Sequence, residues 1–509
     1  MKQRVISIVV VVLLLGSFVL VLGSGAFFGP HATSSTSSTS TTSSSSTSTA
    51  TTNSTTTSVP QCTNLTGTQK SQLTAVQFGE VTTYALPRPL RSPNSITSAP
   101  DGSVWFGEVA VPGVAHLFLN GTLVEYPWPF TYAGAALCSD RSEIWGVVLL
   151  NGTVWATDPA RSQLVGLVPS SDSFKTIPLR NGSLPRYLAV GPDQNLWFTE
   201  TSTPTQIGTV DPSTDAVTYY SVPAPDGYIS SSLLFYNSSL AYVVTLNLGD
   251  DLGQIFSFNP MQPSPTFLPV GGNETLLGPY SVAVSQGGLW VGEHQASNVG
   301  FYNQTSGQWT FYPTSVNPKV ELSLPYYLAA NGSELWFNEH DGNKMAVLSE
   351  GGKVLTEYSM SNISTSTVNI DNALTIAIDK NLVWFTGWTA DKVGFVNASI
   401  TPPFSISSSA NASVTSIVQG GTLPLQLKVS NTLVAPLALQ LADTEYHTSV
   451  PMNITYRVSS ITGPNSDETI DLNVTVASGT PAGQYLLLFT VTDGLTFRSV
   501  YIPIEVTAA

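Results

Sequence analysis

Residues 185–223 read PRYLAVGPDQNLWFTETSTPTQIGTVDPSTDAVTYYSVP, and this stretch decides the fold because its plan returns along the chain at intervals of 40 to 52 residues. An apolar run (YLAV), a GPDQN turn, a Trp strand (LWFTE), a third strand (QIGTV) and a fourth (VTYYSV) make one four-stranded antiparallel meander. A single meander cannot bury both faces. Radially stacked copies can, and four strands in a period of about 45 residues is the signature of a β-propeller.

The aromatic that anchors the second strand recurs at Trp105, Trp145, Trp197, Tyr242, Trp290, Trp336 and Trp384, which predicts seven blades. The seventh unit runs into Pro402-Pro403 without a fourth strand, and Glu80 to Pro87 (EVTTYALP) matches the fourth strands elsewhere. That segment is predicted to pair with the Trp384 blade and close the ring, which removes free sheet edges. After Thr401 the tryptophans stop and seven short alternating strands follow, the pattern of an immunoglobulin-like β-sandwich that spaces or docks. The reading is all-β: an N-terminal segment at 1–30, a Ser/Thr-rich stalk at 31–75, a seven-bladed β-propeller at 76–400 and an Ig-like sandwich at 401–509.

Composition narrows the function. Only 10% of residues are charged and the net charge is −15, which argues against nucleic acid as a partner. Lys2 and Arg4 precede an apolar run from Val5 to Leu22, long enough for a membrane anchor, while Gly23-Ser24-Gly25 offers a cleavage site for a signal peptide. Either way the rest of the chain is expected outside the cytoplasm. Cys62 and Cys138, the two cysteines, are expected to form one disulfide there. Sequons for N-glycosylation occur at Asn53, Asn64, Asn120, Asn151, Asn181, Asn237, Asn273, Asn303, Asn331, Asn362, Asn397, Asn411, Asn453 and Asn473, although polar turn chemistry produces the same pattern. The blend of anchor, stalk and sequons resembles archaeal surface proteins.

The P-x-x-[IV] starts, the LWFTE strands and the VTEY-type fourth strands resemble the streptogramin (virginiamycin B) lyases across residues 76 to 399. The resemblance implies chemistry over the central channel, with a Pro-His pair opening the innermost strand of each of the last two blades. One His acts as base, and the other, with a Glu ending the last blade's Trp strand, holds magnesium. The corresponding pairs here are Pro325-Tyr326 and Asn372-Ala373, and the Glu falls at Gly387 or Trp388, so the His and Glu positions are replaced. What the same face offers is Asn94, Arg186, Tyr280, Tyr326, Asn372 and Trp388, rings and amides that suit a sugar or peptide.

A second set of residues is the Glu that ends the Trp strand at Glu108, Glu200, Glu293 and Glu339. These should ring one rim, where Glu293-His294 and Glu339-His340 from adjacent blades could hold Mg or Ca, unless the carboxylates instead accept backbone N–H bonds from nearby loops. No nucleophile, zinc or nucleotide motif is evident. The reading is a recognition protein at the cell envelope, for glycan, peptide or protein; the alternative is a C–O lyase opening a cyclic depsipeptide.

Overall fold

The structure, a computed structural model, describes residues 67–87, 91–109, 112–130, 144–272, 274–315, 323–349, 352–361, 371–408, 414–441, 454–456 and 463–509. The N-terminal apolar run, Cys62, Cys138, and the sequons at Asn53, Asn64, Asn273, Asn362, Asn411 and Asn453 lie outside the described residues.

Seven antiparallel sheets surround one axis, with innermost strands Pro93–Ser98, Val147–Leu150, Pro185–Val190, Tyr228–Asn237, Pro279–Ser285, Pro325–Asn331 and Ala373–Asp379. Each pair of adjacent blades shares one apolar cluster, and each second-strand aromatic packs into the cluster it shares with the next blade. Trp197, Trp290, Trp336 and Trp384 are essentially inaccessible. Burying a large side chain contributes about 1.5–3 kcal/mol, so the repeated aromatic is what makes radial stacking favourable.

In blade two the anchor is Trp155, in the strand Thr153–Asp158, and not Trp145 as the repeat predicts. Trp145 precedes the innermost strand of that blade. The other six anchors fall where the sequence places them, including Tyr242 in the degenerate fourth blade.

Ring closure follows the expected route. Val81–Ala85 pairs antiparallel with Lys392–Val396 as the outer strand of blade seven, and Val81 and Tyr84 enter the clusters on its two sides. Two further strands begin inside the interval read as stalk: Gln69–Gln72 extends blade one and Ala75–Phe78 extends blade seven.

A side-chain clamp repeats between blades. In blade two Thr157 Oγ1 accepts the N–H of Gly146 (3.1 Å) and donates to the carbonyl of Arg186 in blade three (3.1 Å). Asn338 does the same from Tyr327 N–H (2.8 Å) to the carbonyl of Ala373, and Thr386 from Thr375 N–H (3.3 Å) to that of Asn94 (2.7 Å), the last joining blade seven to blade one. These side chains satisfy backbone groups that irregular inner strands leave unpaired, where each orphan would cost about 1–3 kcal/mol.

The described residues between 404 and 507 form one further sheet and an extension of the blade-six sheet around one apolar core. Among the described residues eight strands are present there, one more than expected, because Phe404–Ser408 opens the second sheet. Thr496–Val500 pairs with Val354–Tyr358, the outer strand of blade six, so one sheet runs continuously from the propeller into the sandwich. Leu488 is buried in the cluster between blades five and six, and Tyr501 donates to the carbonyl of Pro313 (2.8 Å). The sandwich is docked to the propeller and covers a sheet edge.

Candidate functional site

Five innermost strands open with the same irregularity. Pro93 pairs with Glu108 and Ile96 with Phe106, so Asn94 and Ser95 together face Gly107, a β-bulge. The same step follows Pro185, Pro279, Pro325 and Ala373. Proline suits the first position because it has no N–H to lose, and the bulge re-aims the residue after it.

Counting three residues back from the partner of each anchor aromatic gives the equivalent position in every blade: Asn94, Trp145, Arg186, Ser231, Tyr280, Tyr326 and Leu374. They form a ring around the axis. The Arg186 guanidinium lies 4.1 Å from the Trp145 ring centroid, and its Nη2 reaches Tyr326 Oη across the axis at 3.4 Å. Tyr280 and Tyr326 have ring centroids 4.7 Å apart. Asn94 is buried and its side-chain amide has no hydrogen-bond partner among the described residues.

This register corrects the blade-seven pair. Ala373 pairs with Gly387 as Pro325 pairs with Glu339, so the residues in the Pro-His places are Ala373-Leu374, and Gly387 stands where the Glu would be. Asn372 precedes the strand with φ 45° and accepts a backbone hydrogen bond from Trp388 (3.2 Å), which sets both at the rim of blade seven rather than in the ring.

His294 and His340 flank the ring. His294 Nε2 lies 3.2 Å from His340 Nδ1, and the two imidazoles sit edge-on to Tyr326 with centroids 5.5 Å away. Burial lowers both pKa values, and His340 lowers that of His294 further, so the pair is neutral at pH 7. Burial pushes the phenol of Tyr280 well up, which leaves it a hydrogen-bonding group and not a base.

The four Glu residues are buried and do not line an open rim. Glu200 accepts from the hydroxyl of Ser183, from Leu184 N–H (2.9 Å) and from Ser202 (3.1 Å), and Glu293 accepts from Leu277 N–H (3.0 Å). Glu108 faces Arg91 at 3.7 Å and Glu339 faces Lys344 at 2.9 Å. Glu200 and Glu293 thus accept N–H groups of the loops entering the innermost strands, the second of the two roles open to them, whereas Glu108 and Glu339 complete buried ion pairs that the sequence did not predict. Burial raises Glu293 to about 7, and burial with the charge of Glu357 raises Glu339 well above the ordinary carboxylate range. Among the described residues no three His, Cys, Asp or Glu side chains meet as a metal-holding group; of Glu293, His294, Glu339 and His340 the two imidazoles come together while the carboxylates are engaged elsewhere.

Asn120, Asn151, Asn181, Asn237 and Asn473 are exposed and Asn303, Asn331 and Asn397 half-buried. Several of these asparagines also close turns: the side-chain oxygens of Asn120, Asn237, Asn303 and Asn397 each accept the N–H two residues on.

No family model matches the chain, and no curated protein matches its sequence. Among solved structures, virginiamycin B lyase from Staphylococcus aureus matches with a TM-score of 0.51 and 20% identity over 62% of this chain and 98% of that one. A streptogramin B lyase structure matches at 0.50, with 20% identity over 62% of this chain and 97% of that one. A catalytically inactive form of the S. aureus enzyme with quinupristin matches at 0.50, with 19% identity over 65% and 99%. The chain has the propeller fold of these lyases.

Proposed function

We propose that this chain is a recognition protein displayed on the outer face of the cell membrane, binding a carbohydrate or peptide of the cell envelope at the axial ring. The observation that carries the reading is the composition of that ring. Trp145, Arg186, Tyr280 and Tyr326 make a connected surface of rings and one guanidinium, next to Asn94, whose amide has no partner among the described residues. Flat rings supply contact area and amides supply orientation, the combination that sugars and peptides require. Lyase chemistry of the kind the resemblance implies has less support. Tyr326 and Leu374 stand in the His places and Gly387 in the Glu place, and a positioned acid–base or electrostatic group is typically worth a hundredfold or more in rate.

Display outside the cytoplasm is supported by Lys2, Arg4, the apolar run and the Ser/Thr stalk, and the accessible sequons fit glycan attachment. The test is a screen of the purified protein against glycan and peptide arrays, followed by titration of each ligand found. Arg186→Ala is expected to weaken binding about thirtyfold, the effect of losing an anchor worth about 2 kcal/mol. A ligand whose affinity is unchanged by both Arg186→Ala and Tyr280→Ala would place recognition elsewhere.

A further inference from the structure

All blades run in one sense. Each innermost strand starts at the ring, so the turns that join it to the second strand, and those that join third to fourth, lie on the face opposite the ring. The connections from second to third strand and from one blade to the next lie on the ring side. Described asparagines of the propeller stand on both sides, but the sequons gather on one.

On the opposite face, in the turns or at the strand ends beside them, stand Asn120, Asn151, Asn195, Asn237, Asn259, Asn303, Asn331, Asn381 and Asn397. Six of these nine carry Ser or Thr two residues on: Asn120, Asn151, Asn237, Asn303, Asn331 and Asn397, in blades one, two, four, five, six and seven. On the ring side Asn94, Asn247, Asn298, Asn338, Asn343 and Asn372 lack that residue and Asn181 has it, while Asn273 and Asn362 lie outside the described residues. Turn formation does not account for the difference. It needs the asparagine alone, and ring-side asparagines serve in it equally: Asn343 and Asn372 hold φ of 54° and 45°, and Asn247 accepts the N–H of Gly249 (2.9 Å). The hydroxyl residue two positions on is the part of the pattern that turn formation does not call for.

The same face exposes apolar side chains. Leu119 is 47% exposed and Tyr236 55% exposed, and each directly precedes a sequon asparagine, Asn120 and Asn237. Met261, 54% exposed, stands in another turn of that face. Exposed apolar groups favour association, which bulky, hydrated glycans beside them oppose.

We propose that N-linked glycans at these six asparagines cover the face opposite the ring and leave the ring as the face open to ligand. Attachment requires the display outside the cytoplasm on which the reading above rests. In the transfer the side-chain amide nitrogen bonds to the anomeric carbon of a lipid-phosphate-linked oligosaccharide. The bond from that carbon to the phosphate oxygen breaks, the lipid phosphate leaves with the electron pair, and the nitrogen gives up one proton. At Asn120, Asn237, Asn303 and Asn397 the turn is closed through the side-chain oxygen, which leaves the reacting nitrogen out of that bond.

The test uses the full chain made in a mammalian cell line, which glycosylates this sequon outside the cytoplasm. A peptide N-glycosidase acting in heavy-oxygen water converts each occupied asparagine to a labelled aspartate, read by peptide mass spectrometry. Label is expected at Asn120, Asn151, Asn237, Asn303, Asn331 and Asn397. Label at half or fewer of them would overturn the proposal; if any other sequon, such as Asn53 or Asn64, is labelled, display outside the cytoplasm stands, and if none is, display falls with it. Hydroxyl-radical oxidation of Tyr236 should be slower in the glycosylated chain than after glycan removal, and that of Tyr280, in the ring, the same in both. Equal oxidation of Tyr236 in the two samples would overturn the covering of this face.

Discussion

Replacing Lys344 by Met is expected to destabilise the protein by about 3–5 kcal/mol, read as a fall in the denaturant midpoint. Lys344 is 2% exposed and its ammonium donates to Glu357 (2.7 Å), to the carbonyl and hydroxyl of Ser315 (2.6 Å each) and to Glu339 (2.9 Å). Phe497 of the docked sandwich lies over it at 4.9 Å. Two carboxyls therefore share one buried cation, and burial together with the charge of Glu357 holds the pKa of Glu339 well above the ordinary carboxylate range. Removing the cation strands the Glu357 charge in the interior, which is the costly kind of substitution. Glu339→Gln is the matched control, which keeps the shape of the site and should not lower stability at neutral pH. The sign of its pH dependence is also fixed: a carboxyl whose pKa is raised in the folded chain costs stability as pH rises past the unfolded value, so Glu339→Gln should gain on the parent as pH increases. A Lys344→Met protein as stable as the parent would show that the buried triad is not paired as described.

Deleting residues 1–87 should leave the propeller unable to fold cooperatively. The deletion removes the outer strand Val81–Ala85 and with it the buried side chains of Val81, Tyr84 and Leu86. Three such side chains are worth about 5–9 kcal/mol in burial alone, the size of a whole domain's net stability. The exposed edge of Lys392–Asn397 would in addition become a template for association. Circular dichroism melting and size exclusion on the truncated chain test this; a monomer with the parent's transition would contradict the closure argument. Truncation at residue 66 keeps every described strand and serves as the comparison.

Much of this fold is legible because its strands alternate apolar and polar residues and its repeat carries a bulky aromatic at a fixed place. Even the circular closure could be read, since EVTTYALP resembles the fourth strands elsewhere. Blade two misleads because it holds two tryptophans ten residues apart, Trp145 and Trp155. The decisive local signal is the Asn151-Gly152 turn, which like Asn331-Gly332 in blade six joins the innermost strand to the second, so the strand after it carries the anchor. Freed from that role, Trp145 joins Ser231 and Leu374 as the ring residues the sequence reading missed.

The one-residue shift in blade seven has a similar cause. A bulge adds a residue without changing the apolar pattern, and blade seven has Ala373 where a proline would have marked the step. The docking of the sandwich left no such trace: nothing in residues 354–358 announces that they will pair with residues 496–500, about 140 positions on. The buried state of the repeated Glu was hidden for another reason. Period-two patterning assigns a strand residue to a face, but the loops that cover the strand's end decide whether that face meets water, and here those loops supply the N–H groups that the carboxylates accept.

The measurement that tests the central claim most directly is incubation of the purified protein with a streptogramin B and magnesium, with chromatographic detection of the linear product. With Tyr326 and Leu374 in the ring and Gly387 ending the last Trp strand, the account predicts no ring opening above the rate of a protein-free control. Linear product at enzymatic rates, lost on His340→Asn or Tyr326→Phe, would show that the ring and its neutral His pair perform the elimination, and would contradict the reading of this face as a recognition surface.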